Sequence, residues 1–189
     1  MSKTKLKVFI ASLLAGFILP PSVMAGIEFE LENAGNIVRV LAVSNEDFAP
    51  PLNMTASAQV TFRVPAGTVV SSTDNGQPDA VANLNGSWSL NSRSNAPSEN
   101  STSDYLSVGL TSLGTTAIIY RANVPVPLFE FEVYNCFGSV ELIDNESDPF
   151  NQMPNSANSN PGNQITVLGL VADNAWEASD SANSAVCIQ

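Results

Sequence analysis

Apolar and polar residues alternate with a period of two along most of the chain, the pattern of strands with one face toward a core. Ile27, Phe29 and Leu31 alternate with Glu28, Glu30 and Glu32, which predicts a strand with an acidic outer face. Residues 37–43 predict a second strand, and residues 58–64 a third that stops at the turn Pro65-Ala66-Gly67. Trp88 and Leu90 mark the next, after the hairpin-type dipeptide Asn85-Gly86. Residues 105–110, the β-branched run 115–120, the clean alternation 128–134, and residues 140–143 and 165–168 bring the expected total to about nine. No segment carries a sustained apolar stripe at helical spacing. The chain is therefore expected to be all-β, a single jelly-roll or immunoglobulin-like β-sandwich of about nine strands.

Three stretches break the alternation: residues 44–56 with Pro50-Pro51, the Ser/Asn-rich residues 91–104, and residues 144–163, DNESDPFNQMPNSANSNPGN. Their Asn, Asp, Ser, Gly and Pro content is turn chemistry. A loop of some twenty residues inside a compact domain is expected to be functional or pinned to the body.

The N-terminus reads as an export signal. Lys3, Lys5 and Lys7 precede an apolar run over residues 8–19, too short to span a bilayer comfortably. Pro20-Pro21 and the small residues Val23 and Ala25 then place cleavage before Gly26. Residues 1–25 are thus expected to be a secretory signal peptide and residues 26–189 one β-sandwich domain, exported to the surface or exterior of a bacterial cell. No later segment is apolar for long enough to form a membrane span. Export makes Cys136 and Cys187 an expected disulfide.

Charge and composition narrow the chemistry. The chain has no His, and all its lysines lie in the signal, so after cleavage four arginines face eighteen acids, a formal −14. Nucleic-acid binding is excluded, because phosphate backbones call for clustered Lys and Arg. The absence of His and of a mature Lys removes Ser-His-Asp triads, His-based zinc sites and Schiff-base chemistry. Carboxylate chemistry and oxygen-bound metal remain.

The segment Y-L-S-V-G-L, followed by V-P-L-F-E-F-E, a Cys-containing turn, L-I-D-N-E-S-D-P-F, N-S-A-N-S-N-P-G-N and a closing I-T-V-L, has a recognisable order. With the upstream A-Q-V-T-F-R-V-P-A-G it resembles cohesin-like and carbohydrate-binding-module-like β-sandwich domains of exported bacterial surface proteins. The resemblance covers most of the chain after the signal. It implies a sandwich that binds or builds rather than catalyses.

Four groups of residues are candidates for function. Asp144, Glu146 and Asp148 place hard oxygen ligands at alternate positions of one turn, with Asn145 and Asn151 close by; calcium is the cofactor such a loop could hold. The competing reading is a solvated acidic loop whose Asp and Asn side chains cap their own turns. Glu130 and Glu132 stand about 7 Å apart along one strand, a separation that glycoside hydrolysis could use. Their apolar neighbours Phe129, Phe131 and Val133 claim the buried face, so an outward, non-catalytic pair is expected. Trp176, in a polar run, is a candidate sugar-stacking ring, with edge covering the stronger expectation. The Ile27-Phe29-Leu31 strand is the candidate for pairing with a neighbour's sheet, although pairing within its own domain is favoured. The function expected is a non-enzymatic secreted module for protein–protein adhesion or extracellular assembly, through a protein partner or its own copies. The alternative is a carbohydrate-binding module that recognises a polysaccharide.

Overall fold

The computed structural model of the protein describes residues 26–48, 50–112, 118–168, 176 and 184–187. The proposed signal, residues 1–25, lies outside them. The described chain forms two antiparallel sheets and no α-helix; its single helical turn is the 3₁₀ turn Pro149–Asn151. One sheet contains β1 (Ile27–Ala34), β2 (Ile37–Ser44), β8 (Val126–Tyr134) and β4 (Val69–Ser71) in that order, with β5 (Ala82–Asn83) also on β8. The other runs β11 (Ser184–Val186), β9 (Ser139–Leu142), β3 (Thr55–Pro65), β7 (Ser103–Ser112) and β6 (Ser87–Ser94), with β10 (Gln164–Val167) also on β3.

The all-β sandwich is as the alternation predicts, but the strands number eleven among the described residues rather than about nine. The additional ones, β4, β5 and β11, are two or three residues long, too short to show a period. The expected strand over residues 115–120 is not formed where it can be seen. Residues 115–117 lie outside the described chain, and Tyr120 makes an isolated bridge to Phe48. Asn85-Gly86 is not a two-residue hairpin either: β5 pairs with β8 in one sheet and β6 with β7 in the other, so this turn carries the chain across the sandwich.

Alternation fills the space between the sheets. Phe29, Val40, Phe129 and Phe131 from the first sheet and Val60, Phe62, Leu106 and Val108 from the second are fully buried in one apolar cluster. Phe62 and Phe131 stack across the gap with ring centroids 4.6 Å apart, and Trp88 packs on Phe129 at 5.2 Å. The Cys136–Cys187 disulfide is formed. Cys136 sits in the β8–β9 turn rather than on a central strand, and Cys187 directly follows β11. The bridge therefore fastens the C-terminal edge strand beside β9, where the Cys187 amide also donates to the Gly138 carbonyl at 2.9 Å.

Candidate functional site

The long loop over residues 144–163 begins and ends on one edge of β3. β9 pairs with Phe62 and Arg63, and β10 with the stretch from Gln59 back to Thr55, so the chain leaves the sheet and returns to it at neighbouring positions. Between these contacts Thr61 has no strand partner on that side. The Ile143 amide donates to the Thr61 carbonyl at 3.1 Å. The Thr61 amide donates to Asn163 Oδ1 at 2.7 Å, and Asn163 Nδ2 donates to the Ile143 carbonyl at 2.8 Å. One buried side-chain amide thus completes a rung of the sheet. Replacing it strands a buried donor and a buried acceptor, so Asn163→Ala is expected to cost about 1–3 kcal/mol of stability, read as a lowered urea midpoint with the slope unchanged.

The rest of the loop is held in the same manner. Asn145 exchanges bonds with the backbone of Asn163, donating to its carbonyl at 2.8 Å and accepting from its amide at 2.7 Å. Asn151 Nδ2 donates to the Asn145 carbonyl, and Asn155 Nδ2 to the carbonyls of Phe150 and Ser159. Gly162 sits close under these amides: a Cβ there would lie 3.3–3.4 Å from the side-chain oxygens of Asn160, Asn145 and Asn151, a tight contact. Phe150 turns inward and packs on Tyr105, centroids 4.6 Å apart, forming with Ile143 a second small core. Leu106, the next residue of β7, belongs to the main core, so Tyr105 and the loop cover the outer face of the second sheet.

Arg63 organises that face. Its guanidinium donates twice to Glu141 Oε2, at 3.0 and 2.6 Å, and once to Asp148 Oδ2 at 3.1 Å. Asp148 is buried, caps the 3₁₀ turn by accepting from the Phe150 amide at 2.9 Å, and accepts from the Tyr105 hydroxyl at 3.3 Å. Asp144 lies exposed on its own turn, accepting from the Glu146 amide at 2.7 Å and the Ser147 hydroxyl at 2.9 Å. Glu146 is exposed. Asp148 is thus held by a cation, and among the described residues no group of three or more His, Cys, Asp or Glu side chains is placed to hold a metal. Of the two readings of this loop, self-capping is the one its geometry follows.

Several carboxylates here are held below their usual range. The Ser139 hydroxyl, followed by Arg63, lowers the pKa of Glu141 from the ordinary 4.5. The Glu146 amide and then the Ser147 hydroxyl lower that of Asp144 from 3.8. The Ser156 hydroxyl lowers that of Glu99, whose bonds to Ser156 tie the loop to residues 95–102. Depressed folded values mean that the unfolded chain takes up protons first, so this stabilisation is complete above pH 4.5 and drains away as pH falls through the lower folded values. The urea midpoint is accordingly expected to be flat with respect to these groups above pH 5 and to drop below about pH 4.5. A Glu141→Gln variant should show a shallower fall.

The other candidates are dispersed. Glu130 and Glu132 do face outward. Glu130 accepts from Arg39 at 2.9 and 3.1 Å and from Thr73 at 3.1 Å, and Glu132 accepts from the Tyr134 hydroxyl. Trp176 bridges to Ile27 and packs, partly buried, against the main core. Ile27, Phe29 and Leu31 are buried, and all of β1 pairs with β2 through a hairpin whose turn glycine, Gly35, has φ of 78°. Asn33 of β1 donates its side-chain amide to the Val186 carbonyl of β11. Sequence reasoning passed over Arg63. Arg63 had a signal: a lone arginine on the outward face of a strand, in a chain with four such cations, marks a place where acids must gather.

Compared with known proteins, the chain matches no family model and no curated protein.

Proposed function

We propose that the protein is a non-enzymatic β-sandwich module that, after export, makes adhesion or structural contacts at the cell surface or in the extracellular matrix. The observation that carries this reading is the engagement of the protected carboxylates. Asp104 accepts from Arg93 at 2.8 Å and from the amides of Gly67 and Ala96. Asp148 is held by Arg63 and Glu130 by Arg39. A general acid or nucleophile needs a carboxylate poised toward substrate; these three are tied to structural cations. The disulfide fits an oxidising compartment, as export requires. The cohesin-like order of motifs supports a domain whose work is contact.

The charge pattern favours a partner other than a second copy. Each arginine of the described chain is already ion-paired, Arg121 with Asp47 only at 3.9 Å. Two copies at −14 repel and have no free cations to exchange. The Ile27-Phe29-Leu31 strand would have to leave its own core before it could join another sheet. Tracking the protein produced from the full chain tests the reading. The expected result is material outside the cell that begins at Gly26, lacks free thiols and is needed for attachment of cells to one another or to a matrix. Material retained in the cytoplasm with titratable thiols, or attachment unchanged by its loss, would overturn it.

A further inference from the structure

Three side-chain oxygens of the long loop face one small space beside Gly162. A Cβ built on Gly162 would lie 3.3 Å from Asn160 Oδ1 and 3.4 Å from the Oδ1 atoms of Asn145 and Asn151, its three nearest atoms outside the adjoining residues. Gly162 is not among the glycines with positive φ, so the backbone does not call for glycine here. What the missing side chain provides is room among the oxygens.

The nitrogens of these amides explain where the oxygens point. Asn145 Nδ2 donates to the Asn163 carbonyl at 2.8 Å, and Asn151 Nδ2, at the end of the 3₁₀ turn, donates to the Asn145 carbonyl at 2.7 Å. An amide whose nitrogen is committed to a carbonyl presents its oxygen on the other branch. Asn160 Oδ1 is set by its own turn, accepting from the Gly162 amide at 3.3 Å. Asn145 Oδ1 likewise holds one donor, the Asn163 amide at 2.7 Å. Asn151 Oδ1 is buried and has no hydrogen-bond donor. A buried carbonyl oxygen of this kind costs stability unless something electropositive reaches it.

We propose that this space binds an alkali-metal cation, with potassium the better fit, through Oδ1 of Asn145, Asn151 and Asn160. The three atoms nearest the space are all carbonyl oxygens, hard neutral donors of the type that replaces the hydration shell of potassium in channel filters. No carboxylate is among them. Calcium affinity follows the charge of the ligand set, so a set of zero formal charge suits a monovalent ion better. The separations favour the larger alkali ion, since the oxygens close on potassium with less inward movement than on sodium. A water molecule, the competing occupant, brings only two hydrogens to three oxygens. The chain's net charge, −11 even with the lysines of residues 1–25 counted, raises the cation concentration around it. Asp144 and Asp148 keep their own partners, so the ion and the self-capped turns coexist. Bound there, the ion ties the start, middle and end of the loop together. The inference goes beyond the contact-module reading and does not depend on it.

The test compares the thermal midpoint of the purified protein in potassium chloride and in choline chloride at equal ionic strength, so that screening of the negative chain is common to both. Potassium is expected to raise the midpoint by about 2–4 °C over choline, and sodium by less. Asn160→Ala removes one oxygen from an exposed side chain and should abolish the difference. Asn160→Asp, which keeps an oxygen and adds a charge, should retain it. Crystals soaked in rubidium chloride locate the ion independently of any variant, with an anomalous peak expected among the three oxygens. Equal parent midpoints in the two salts, a difference that survives Asn160→Ala or is lost in Asn160→Asp, or a water where rubidium is expected overturns the proposal. A calcium response of the parent larger than its potassium response also overturns it and gives the loop to a divalent ion. None of these outcomes bears on the contact-module reading.

Discussion

Cys187→Ser is expected to lower the unfolding free energy by about 4 kcal/mol. The bridge closes a segment of 51 residues, and in the chain-entropy picture a loop of that length restricts the unfolded chain by an amount of this size. The segment contains β9, the long loop, β10 and β11, so freeing it frees the loop layer over the outer face of the second sheet. β11 is the most exposed of these to loss. It is three residues long, pairs only with β9 in its sheet, and is anchored one residue later by the disulfide. The loss is a large share of the 5–15 kcal/mol typical of a domain. Reducing agent should reproduce it in the parent protein and have no effect on the variant. A urea midpoint indifferent to both would mean that β11 and the β8–β9 turn stay docked without their covalent link.

Phe131→Ala is expected to cost about 3–5 kcal/mol. Phe131 is fully buried on β8, the strand that pairs with β2, β4 and β5, and its ring stacks on Phe62 of β3 with planes 8° apart. Phe129 flanks the same stack at 6.5 Å. Truncating Phe131 therefore opens a cavity between the sheets and removes an aromatic pair that joins them. The backbone pairing of β8 does not depend on the side chain, so the fold should survive with a lower urea midpoint and an unchanged slope. A cost below 1 kcal/mol would show that the two sheets collapse around the gap.

The strands with a full alternation were legible from residues alone, because a half-buried strand writes its two faces into a period of two. The segment around Phe129 and Phe131 is the clearest case, and even the outward direction of Glu130 and Glu132 follows from it. β4, β5 and β11 were not legible, since three residues or fewer define no period; tertiary pairing with β8 and β9 makes them strands. The long loop was legible as something held down, but its sequence left open whether its polar residues gather a cation or cap their own turns. Asp144, Glu146 and Asp148 look alike in sequence. In space one caps its own turn, one is exposed, and one is buried against Arg63, whose number lies 85 residues away. The role of Asn163 was equally hidden. Nothing in a row of asparagines says which one will stand in for a strand at Thr61.

The account rests on the residues from 144 to 163 being a fixed layer over the second sheet, since the Arg63–Asp148 pair and the second small core around Phe150 are set by it. Residue-resolved amide hydrogen exchange on the purified protein tests this most directly. The amides of Thr61, Asp148, Phe150 and Asn163 are each bonded within this layer or to it. They are expected to exchange as slowly as the neighbouring strand amides of β3. Exchange of the loop amides at the rate of an unstructured peptide, with β3 still protected, would contradict it.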